Sequence, residues 1–577
     1  MTSSQIPPGI EELRAARRAS RSLYWAVGLF SFFANMLMLT GPLYMLQVYD
    51  RVLGSRSEET LVALTLLVAF LYGTMGILDY SRGRIMARVG ARFQAALDKR
   101  VFDAMIRRSA VAQDPAAQTG LADLESVQRL IASPVLMAAF DMPWTPVFLV
   151  GITIFHPWLG MLAVAGGAIL ILITLFNQLF SRGPVAKANQ SQHRASLQSE
   201  EIRTEAEMIQ SMGMRGASFE RWKVARDASL VQSVGASDVT GTFTILTKTI
   251  RLFLQSAMLG LGAYLVLQGE VTPGAMIAAS ILLGRALGPI ELTIGQWPLV
   301  QRASKGWKSL AELLEKTPPE QLRTELPKPR ARLDVQSLTI VPPGDTRAQL
   351  RTVSFKLEPG QALGVIGPSG SGKSTLAKAL TGVWKPAGGT IRLDGAALEQ
   401  YAADVLGRHI GYLPQRVQLF EGTIAQNIAR LAAEPDSEKV VAAAKMAAAH
   451  EMIVELPDGY DTRVSAGGGR LSGGQMQRIA LARAMYDNPV IVILDEPNSN
   501  LDNDGSQALN QAIRSIKEAG NSVLIMAHRP AAIQECDMLL VMDGGARSAF
   551  GPKDKVMKEM VSNHQELSKT AAMGGVQ

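Results

Sequence analysis

Six apolar runs, all before residue 295, limit what this chain can fold into more than any other feature. They fall at about 23–48, 61–78, 135–155, 159–175, 252–267 and 275–292. A bilayer span needs roughly 20 predominantly apolar residues, so the first half is predicted to be an α-helical membrane domain of six transmembrane helices. Arg14, Arg17, Arg18 and Arg21 precede the first run. That run is too long for a signal peptide, lacks a small-residue cleavage site and is followed by further spans, so it is expected to persist as the first helix.

Lysine and arginine in the loops set the orientation. Arg82, Arg84, Arg88, Arg92, Lys99, Arg100, Arg107 and Arg108 follow the second run; Arg182, Lys187, Arg194 and Arg203 follow the fourth. The other loops are short, and the first mixes Arg51 and Arg56 with Asp50, Glu58 and Glu59. Both termini are therefore expected in the cytoplasm. The polar stretches 82–130 and 180–240 are rich in helix formers and read as cytoplasmic extensions of membrane helices. Much of the net charge of +7 sits on these flanks, and no basic stripe is interleaved with aromatics, so no nucleic-acid partner is expected. The single cysteine, Cys536, excludes an internal disulfide framework and fits a reducing compartment.

Asn35, Asp141, Lys248, Arg251 and Arg285 lie in or near the apolar runs, where a charge at the bilayer centre costs at least ~2.5–3.5 kcal/mol. Lys248 and Arg251 read as groups at helix ends in water. Asp141 is harder to place there. It sits in FDMPWTP (140–146), whose Pro143 and Pro146 are expected to break the helix, and it is expected to line a substrate pathway.

Residues 316–332, KTPPEQLRTELPKPRAR, hold four prolines and many charges, the signature of a linker. Beyond it, ALGVIG, VIVIL, SVLIMA and MLLVMDG are continuous apolar runs ending in small or acidic residues, as buried parallel strands do. The expected organisation is a segment 1–20, a transmembrane domain 21–315, a linker 316–332, an α/β nucleotide-binding domain 333–564 and a disordered tail 565–577.

GPSGSGKS (367–374) lies between the strand ALGVIG and a helix, the context a phosphate loop requires. Gly367, Gly370 and Gly372 let backbone N–H groups face the phosphates, Lys373 reaches the β- and γ-phosphates, and the Ser374 hydroxyl is a Mg²⁺ ligand. The strand VIVIL ends in Asp495-Glu496, a metal-binding carboxylate followed by one able to polarise the attacking water. SVLIMA delivers His528 to the same sheet edge, facing the γ-phosphate. Gln415, in YLPQR, is a neutral side chain suited to touch both Mg²⁺ and water.

In this order, GPSGSGKS, Gln415, LSGGQ (471–475), VIVILDE, SNLD (499–502) and His528 resemble an ATP-binding cassette (ABC) domain. The resemblance implies that Gly367, Pro368, Ser369, Gly370, Ser371, Gly372, Lys373, Ser374 and Thr375 bind ATP. It implies Mg²⁺ on Ser374, Gln415 and Asp495, and hydrolysis by Glu496, His528 and Gln415. It also implies that Ser472, Gly473, Gly474 and Gln475 grip ATP held by the facing cassette, with Asp502 coupling the two sites. The expected assembly is a homodimer. Two positions depart from the family pattern: Pro342 stands where exporters place an aromatic ring under adenine, and Ala466 where they place a glutamate.

PLYMLQVYDRVLGSRSEETL (42–61), DLESVQRLIASPVLMAAFDMPWTP (123–146), AEMIQSMGM (206–214) with Trp222, and LDEPNSNLD (494–502) are similar to the permease/ATPase subunits of type I secretion systems. The similarity is greatest to the branch exporting metalloproteases, haem-binding and S-layer proteins. That family implies ATP-driven export of an unfolded polypeptide bearing a C-terminal signal across the bacterial inner membrane, with a periplasmic adaptor and an outer-membrane channel as partners. About 20 residues precede the first span, so no N-terminal peptidase-like domain is expected. Segments near 121–128 and 206–214 are expected to couple cassette motion to the helices. The competing expectation is a lipid or drug exporter of the same fold.

Overall fold

The computed structural model describes residues 8–112, 114–320, 323–324, 326–465, 469, 471–498, 503–528 and 533–559. Ala466, the SNLD segment with Asp502, and the tail 565–577 lie outside them. Internal contacts divide the chain near Pro319–Glu320 into two units.

The first unit is all helix. After α1 (Pro8–Arg18), the first span runs from Arg21 to Ser55 as α2 (Arg21–Leu37), α3 (Thr40–Gln47), a π-helical turn Val48–Val52 and a last short turn. Then follow α4 (Glu58–Val111), α5 (Pro115–Ile131), α6 (Pro134–Asp141), α7 (Thr145–Phe155), α8 (Pro157–Thr204), α9 (Ala206–Ser211), α10 (Arg215–Leu267), α11 (Pro273–Gly295) and α12 (Trp297–Lys316). Among the described residues six helical stretches are long and apolar enough to cross a membrane. At 1.5 Å per residue, α4 alone is about 80 Å long, far beyond the ~30 Å hydrocarbon core. Its apolar half carries Leu66, Phe70 and Ile77, each about two-thirds exposed, as lipid-facing side chains must be.

The extension expected over 82–130 is only partly continuous. The α4 helix ends at Val111, and Asp114 restarts the chain: its Oδ1 accepts from Ala116 N at 3.0 Å, with Pro115 at the first helical position. The new helix α5 lies against α12. Gly306 permits that approach, because a Cβ there would meet Ser126 Oγ at 2.6 Å and Asp123 O at 2.9 Å. Gly306→Val is therefore expected to cost about 1–3 kcal/mol through overpacking, read as a lower unfolding temperature of the detergent-solubilised protein. An unchanged temperature would mean the two helices are not locked at this point.

At the other end of the spans, Asp50 on the π-helical turn caps α11. Its Oδ1 accepts from Gly274 N at 2.9 Å and its Oδ2 from Thr272 Oγ1 at 2.6 Å. A carboxylate is favoured at a helix N-terminus by the helix dipole.

Asp141 and Arg251, charges in or near the apolar runs, are both paired. Arg82 Nη1 donates to Asp141 Oδ1 at 2.7 Å and Nη2 to Oδ2 at 3.3 Å, while Asn35 Nδ2 donates to Oδ1 at 2.7 Å. Arg82 also reaches Ser31 Oγ and pairs with Asp79. The cluster ties α2, α4 and the end of α6 together, with Arg82 and Asp141 side chains only 9% and 13% exposed. Arg82, counted above as a loop charge, is thus a buried partner. Lys248 and Arg251 lie within the continuous α10 helix, just before the apolar run that starts at 252, and Arg251 Nε is 3.0 Å from Glu291 Oε2. The break at the prolines is present: a 3-10 turn, Met142–Trp144, separates α6 from α7.

The second unit is α/β. A six-stranded sheet comprises β1 (Ala362–Ile366), β2 (Ile410–Leu413), β3 (Ile491–Asp495), β4 (Ser522–Ala527), β5 (Met538–Asp543) and β6 (Ala546–Pro552), in the order β6-β5-β1-β4-β3-β2. All pairings are parallel except β5 with β6. Strands β3 and β4 are buried at every position, which is why they read as unbroken apolar runs rather than alternating ones. A separate antiparallel sheet contains Leu333–Ile340, Leu350–Leu357, Gly388–Leu393 and Ala396–Ala397.

Candidate ATP site

Parallel register brings the chemistry together. Ala527 pairs with Ile366, and Met526 with Asp495, so β1, β4 and β3 end at one level. Leu413 pairs with Leu494. The residues just past those ends are the phosphate loop, His528, Glu496 and Gln415. Polar groups in open parallel sheets gather at this carboxyl edge because the buried strand interiors exclude them.

The loop itself is shaped by Gly370 (φ +80°) and Gly372 (φ +97°), a conformation that strains any residue with a Cβ. The next helix, α13 (Lys373–Leu380), begins directly at the lysine. Lys373 is 5% exposed and donates through Nζ to the carbonyls of Gly367 and Pro368, each at 2.9 Å. Burial holds its ammonium below the ordinary lysine range, while the Glu496 and Asp495 charges pull it back up. Thr375 Oγ1 donates to Gln349 Oε1 at 2.9 Å, fastening the loop helix to the start of Leu350–Leu357. Gln349 carried no motif, because its role depends on a contact 26 residues away.

Glu496 is held at both carboxylate oxygens. Gln415 Nε2 donates to Oε2 at 2.9 Å, and His528 Nε2 lies 3.0 Å from Oε1, an approach that requires a proton on that nitrogen. The backbone of Glu496 is left-handed, φ +52°, and its N–H donates to Met526 O at 3.0 Å. Such a conformation in a residue with a Cβ costs of order 1–3 kcal/mol and persists only where the surroundings impose it.

Asp495 offers a test of metal fit. It is 3% exposed, the Ser374 hydroxyl bonds its carboxylate, and its Oδ1 has no partner among the described residues. Burial pushes its carboxyl above the usual range, with the Glu496 charge adding to the effect and the Ser374 bond and Lys373 opposing it. A hydroxyl, a carboxylate oxygen without a partner and an amide are hard oxygen donors, the set that suits Mg²⁺. Among the described residues no three His, Cys, Asp or Glu converge as a metal site. The fit is to an ion that draws most of its shell from phosphates and water.

LSGGQ forms a different object. Ser472 caps α14 (Gly473–Met485): its Oγ accepts from Gln475 N at 3.2 Å, and Gln475 Oε1 accepts from Ser472 N at 2.9 Å. Gln477, buried on the same helix, donates to the carbonyl of Pro497 just past β3. No hydrogen bond joins residues 472–475 to the phosphate loop among the described residues. Pro342 is buried in the turn after Leu333–Ile340, and its carbonyl accepts from Asp345 N at 3.0 Å.

Comparison with known proteins gives a consistent picture. The family described as ABC transporter matches residues 350–499, and that described as ABC transporter transmembrane region matches residues 24–289. The chain is 41% identical over 552 residues to the type I secretion system ATP-binding protein PrsD of Rhizobium meliloti (strain 1021), covering 96% of this chain and 95% of that one. It is 28% identical to the leukotoxin translocation ATP-binding protein LktB of Mannheimia glucosida, over 91% of this chain and 75% of that relative. Among solved structures, a bacterial Atm1-family ABC exporter with ATP bound superposes with a TM-score of 0.78 at 22% identity, covering 97% of this chain and 99% of the other. That likeness is one of fold.

Proposed function

The chain belongs to the ABC transporters, among the type I secretion system ATP-binding proteins, and on that premise we propose that it uses ATP to export an unfolded polypeptide as a multi-pass protein of the bacterial inner membrane. The observation that carries the reading is the near full-length match, membrane helices included, to a type I secretion relative.

ATP sits with its phosphates on the loop 367–375, where Lys373 exchanges the Gly367 and Pro368 carbonyls for β- and γ-phosphate oxygens. Glu496 takes a proton from the attacking water, its carboxylate aimed by the contacts to its two oxygens. His528 serves as a donor to the γ-phosphate. Ser374, Asp495 and Gln415 would hold Mg²⁺, which when bound would neutralise phosphate charge. Ser472, Gly473, Gly474 and Gln475 serve ATP on a facing copy of the chain, so the working unit is a homodimer with two composite sites, and Asp502 helps to couple them. Both termini are cytoplasmic. A periplasmic adaptor and an outer-membrane channel complete the path. Closure moves the membrane helices because ATP is gripped only in the closed dimer; a differential affinity of ~5.5 kcal/mol takes a two-state equilibrium from 1:99 to 99:1.

The two roles of Ser472 separate by substitution. Ser472→Asp keeps a good N-cap and places negative charge where the helix dipole favours it, yet sets that charge against a γ-phosphate. The expected result is an unchanged unfolding temperature with ATP turnover lost. Turnover at the wild-type rate would rule out the phosphate contact.

Comparing proteins in spent medium from cells carrying the wild-type chain and Glu496→Gln tests the export reading. Loss of one or a few extracellular proteins, retained in the cell with intact C-termini, is expected. An unchanged set, with hydrolysis shown to be abolished, would reject polypeptide export in favour of lipids or drugs.

A further inference from the structure

The membrane unit contains a cavity of about 260 Å³ between α8, α10 and the joint of α11 with α12. We propose that it is a docking subsite for an uncharged, extended stretch of polypeptide, engaged through its backbone; this rests on the export reading above.

Position comes first. On α8 the wall is Asn177 and Ser181, just past the apolar run ending at 175. On α10 it includes Thr240 and Gly241, before the run that starts at 252. On the third side it includes Trp297, past the run ending at 292. All three walls therefore lie at one level, where the spans give way to their polar extensions. A chain approaching from that side meets the cavity before it meets the apolar bundle.

Chemistry comes second. The lining holds Asn, Ser, Thr, Gly, Gln and Trp with a few aliphatic groups and no Asp, Glu, Lys, Arg or His. Asn177 is 3% exposed and its Oδ1 has no hydrogen-bond partner among the described residues; neither has Trp297 Nε1. Ser181 already donates to the Asn177 carbonyl. Just behind the wall, closed to water, lie one acceptor and one donor without partners, which a segment entering the cavity meets when these side chains turn toward it. A peptide group carries one donor and one acceptor. A charged side chain would find no counter-ion here, and an unpaired buried charge is strongly disfavoured. A lipid chain would leave both polar atoms unsatisfied.

Space comes third. A Cβ on Gly241 meets nothing within 4 Å, so a side chain there extends into open room. The volume is slightly below the roughly 300–1,000 Å³ of sites for whole small ligands, suited to a short segment of chain. The joint between α11 and α12, where Gln296 leaves helical geometry (φ −109°, ψ 19°), lies beside the cavity and allows the wall to shift as a segment passes.

The test uses the full-length protein in lipid nanodiscs, with a capped peptide of alternating glycine and serine as probe and ATP turnover as readout. The wild type is expected to show a saturable change in turnover. Replacing serine by lysine in the probe should raise the half-saturating concentration by roughly tenfold or more, the worth of a lost hydrogen bond or an unpaired charge. Gly241→Trp should abolish the response at unchanged basal turnover, and Gly241→Ala should keep it. Asn177→Leu should weaken the response while raising the unfolding temperature, because it removes a buried oxygen without a partner; a purely structural asparagine would lower that temperature. A wild type that ignores the peptide, or a Gly241→Trp variant that responds like it, overturns the subsite. These arms do not depend on the secretion comparison: if Glu496→Gln leaves the medium unchanged, the export reading falls while the peptide response still decides the cavity.

Discussion

Glu496→Gln is expected to lower ATP turnover by roughly 10²–10⁴-fold, the usual range for loss of a positioned general base, while ATP still binds. The amide is close to isosteric, so the left-handed backbone at 496 and its bond to Met526 O need not change. What disappears is the anion. In the wild type both carboxylate oxygens are occupied, one by Gln415 and one by His528, an arrangement that fixes the direction of the carboxylate. An amide offers one oxygen and a pair of donors, so one of those contacts turns donor against donor. Phosphate release measures the loss. Retained ATP binding separates loss of chemistry from loss of the site. Turnover within severalfold of wild type would reassign the base. His528→Ala should also slow turnover, because it removes the contact that holds Glu496 Oε1.

Asp141→Asn is expected to cost about 3–5 kcal/mol of stability, because removing one member of a buried pair strands the other charge. Arg82 has nowhere to go. It lies inside α4, its side chain 9% exposed, with Asp79 as its other anionic contact. The double substitution Arg82→Met with Asp141→Leu removes both charges and should recover much of the loss, since an apolar pair of similar bulk is often as stable as a buried ion pair. Scanning calorimetry of the solubilised protein gives the comparison. A double variant no better than the single one would show that Asn35 and Ser31, rather than the charges, carry the cluster. Recovered stability with export still lost would give the pair a role in movement as well as in packing.

The sequence was most legible where a single stretch of chain completes its own chemistry. The phosphate loop, Asp495-Glu496 at a strand end and the Ser472 cap are local, and each signals itself through glycine placement, strand polarity or the S-x-x-Q spacing of a capping box. The spans are equally local, because twenty apolar residues in a row have few alternatives in water. The break at Met142–Trp144 follows from two prolines three residues apart.

Partner choice was not local. An aspartate inside an apolar run demands a counter-charge, but many arginines follow the second span, and nothing in their order singles out Arg82. The structure selects it because α4 continues unbroken past the end of its apolar run and turns that side chain inward. Gln349 was invisible for the same reason, and so was the polar cavity, whose walls come from residues more than a hundred positions apart. The sequence alone thus determined that the chain has six apolar spans and an α/β domain with a glycine-rich loop, an acidic pair and a histidine at strand ends, since those features arise from hydropathy and motif spacing. Only the tertiary structure decided which charges neutralise one another and where unpaired donors and acceptors gather, because both depend on the rotation and register of helices that the linear order of residues does not encode.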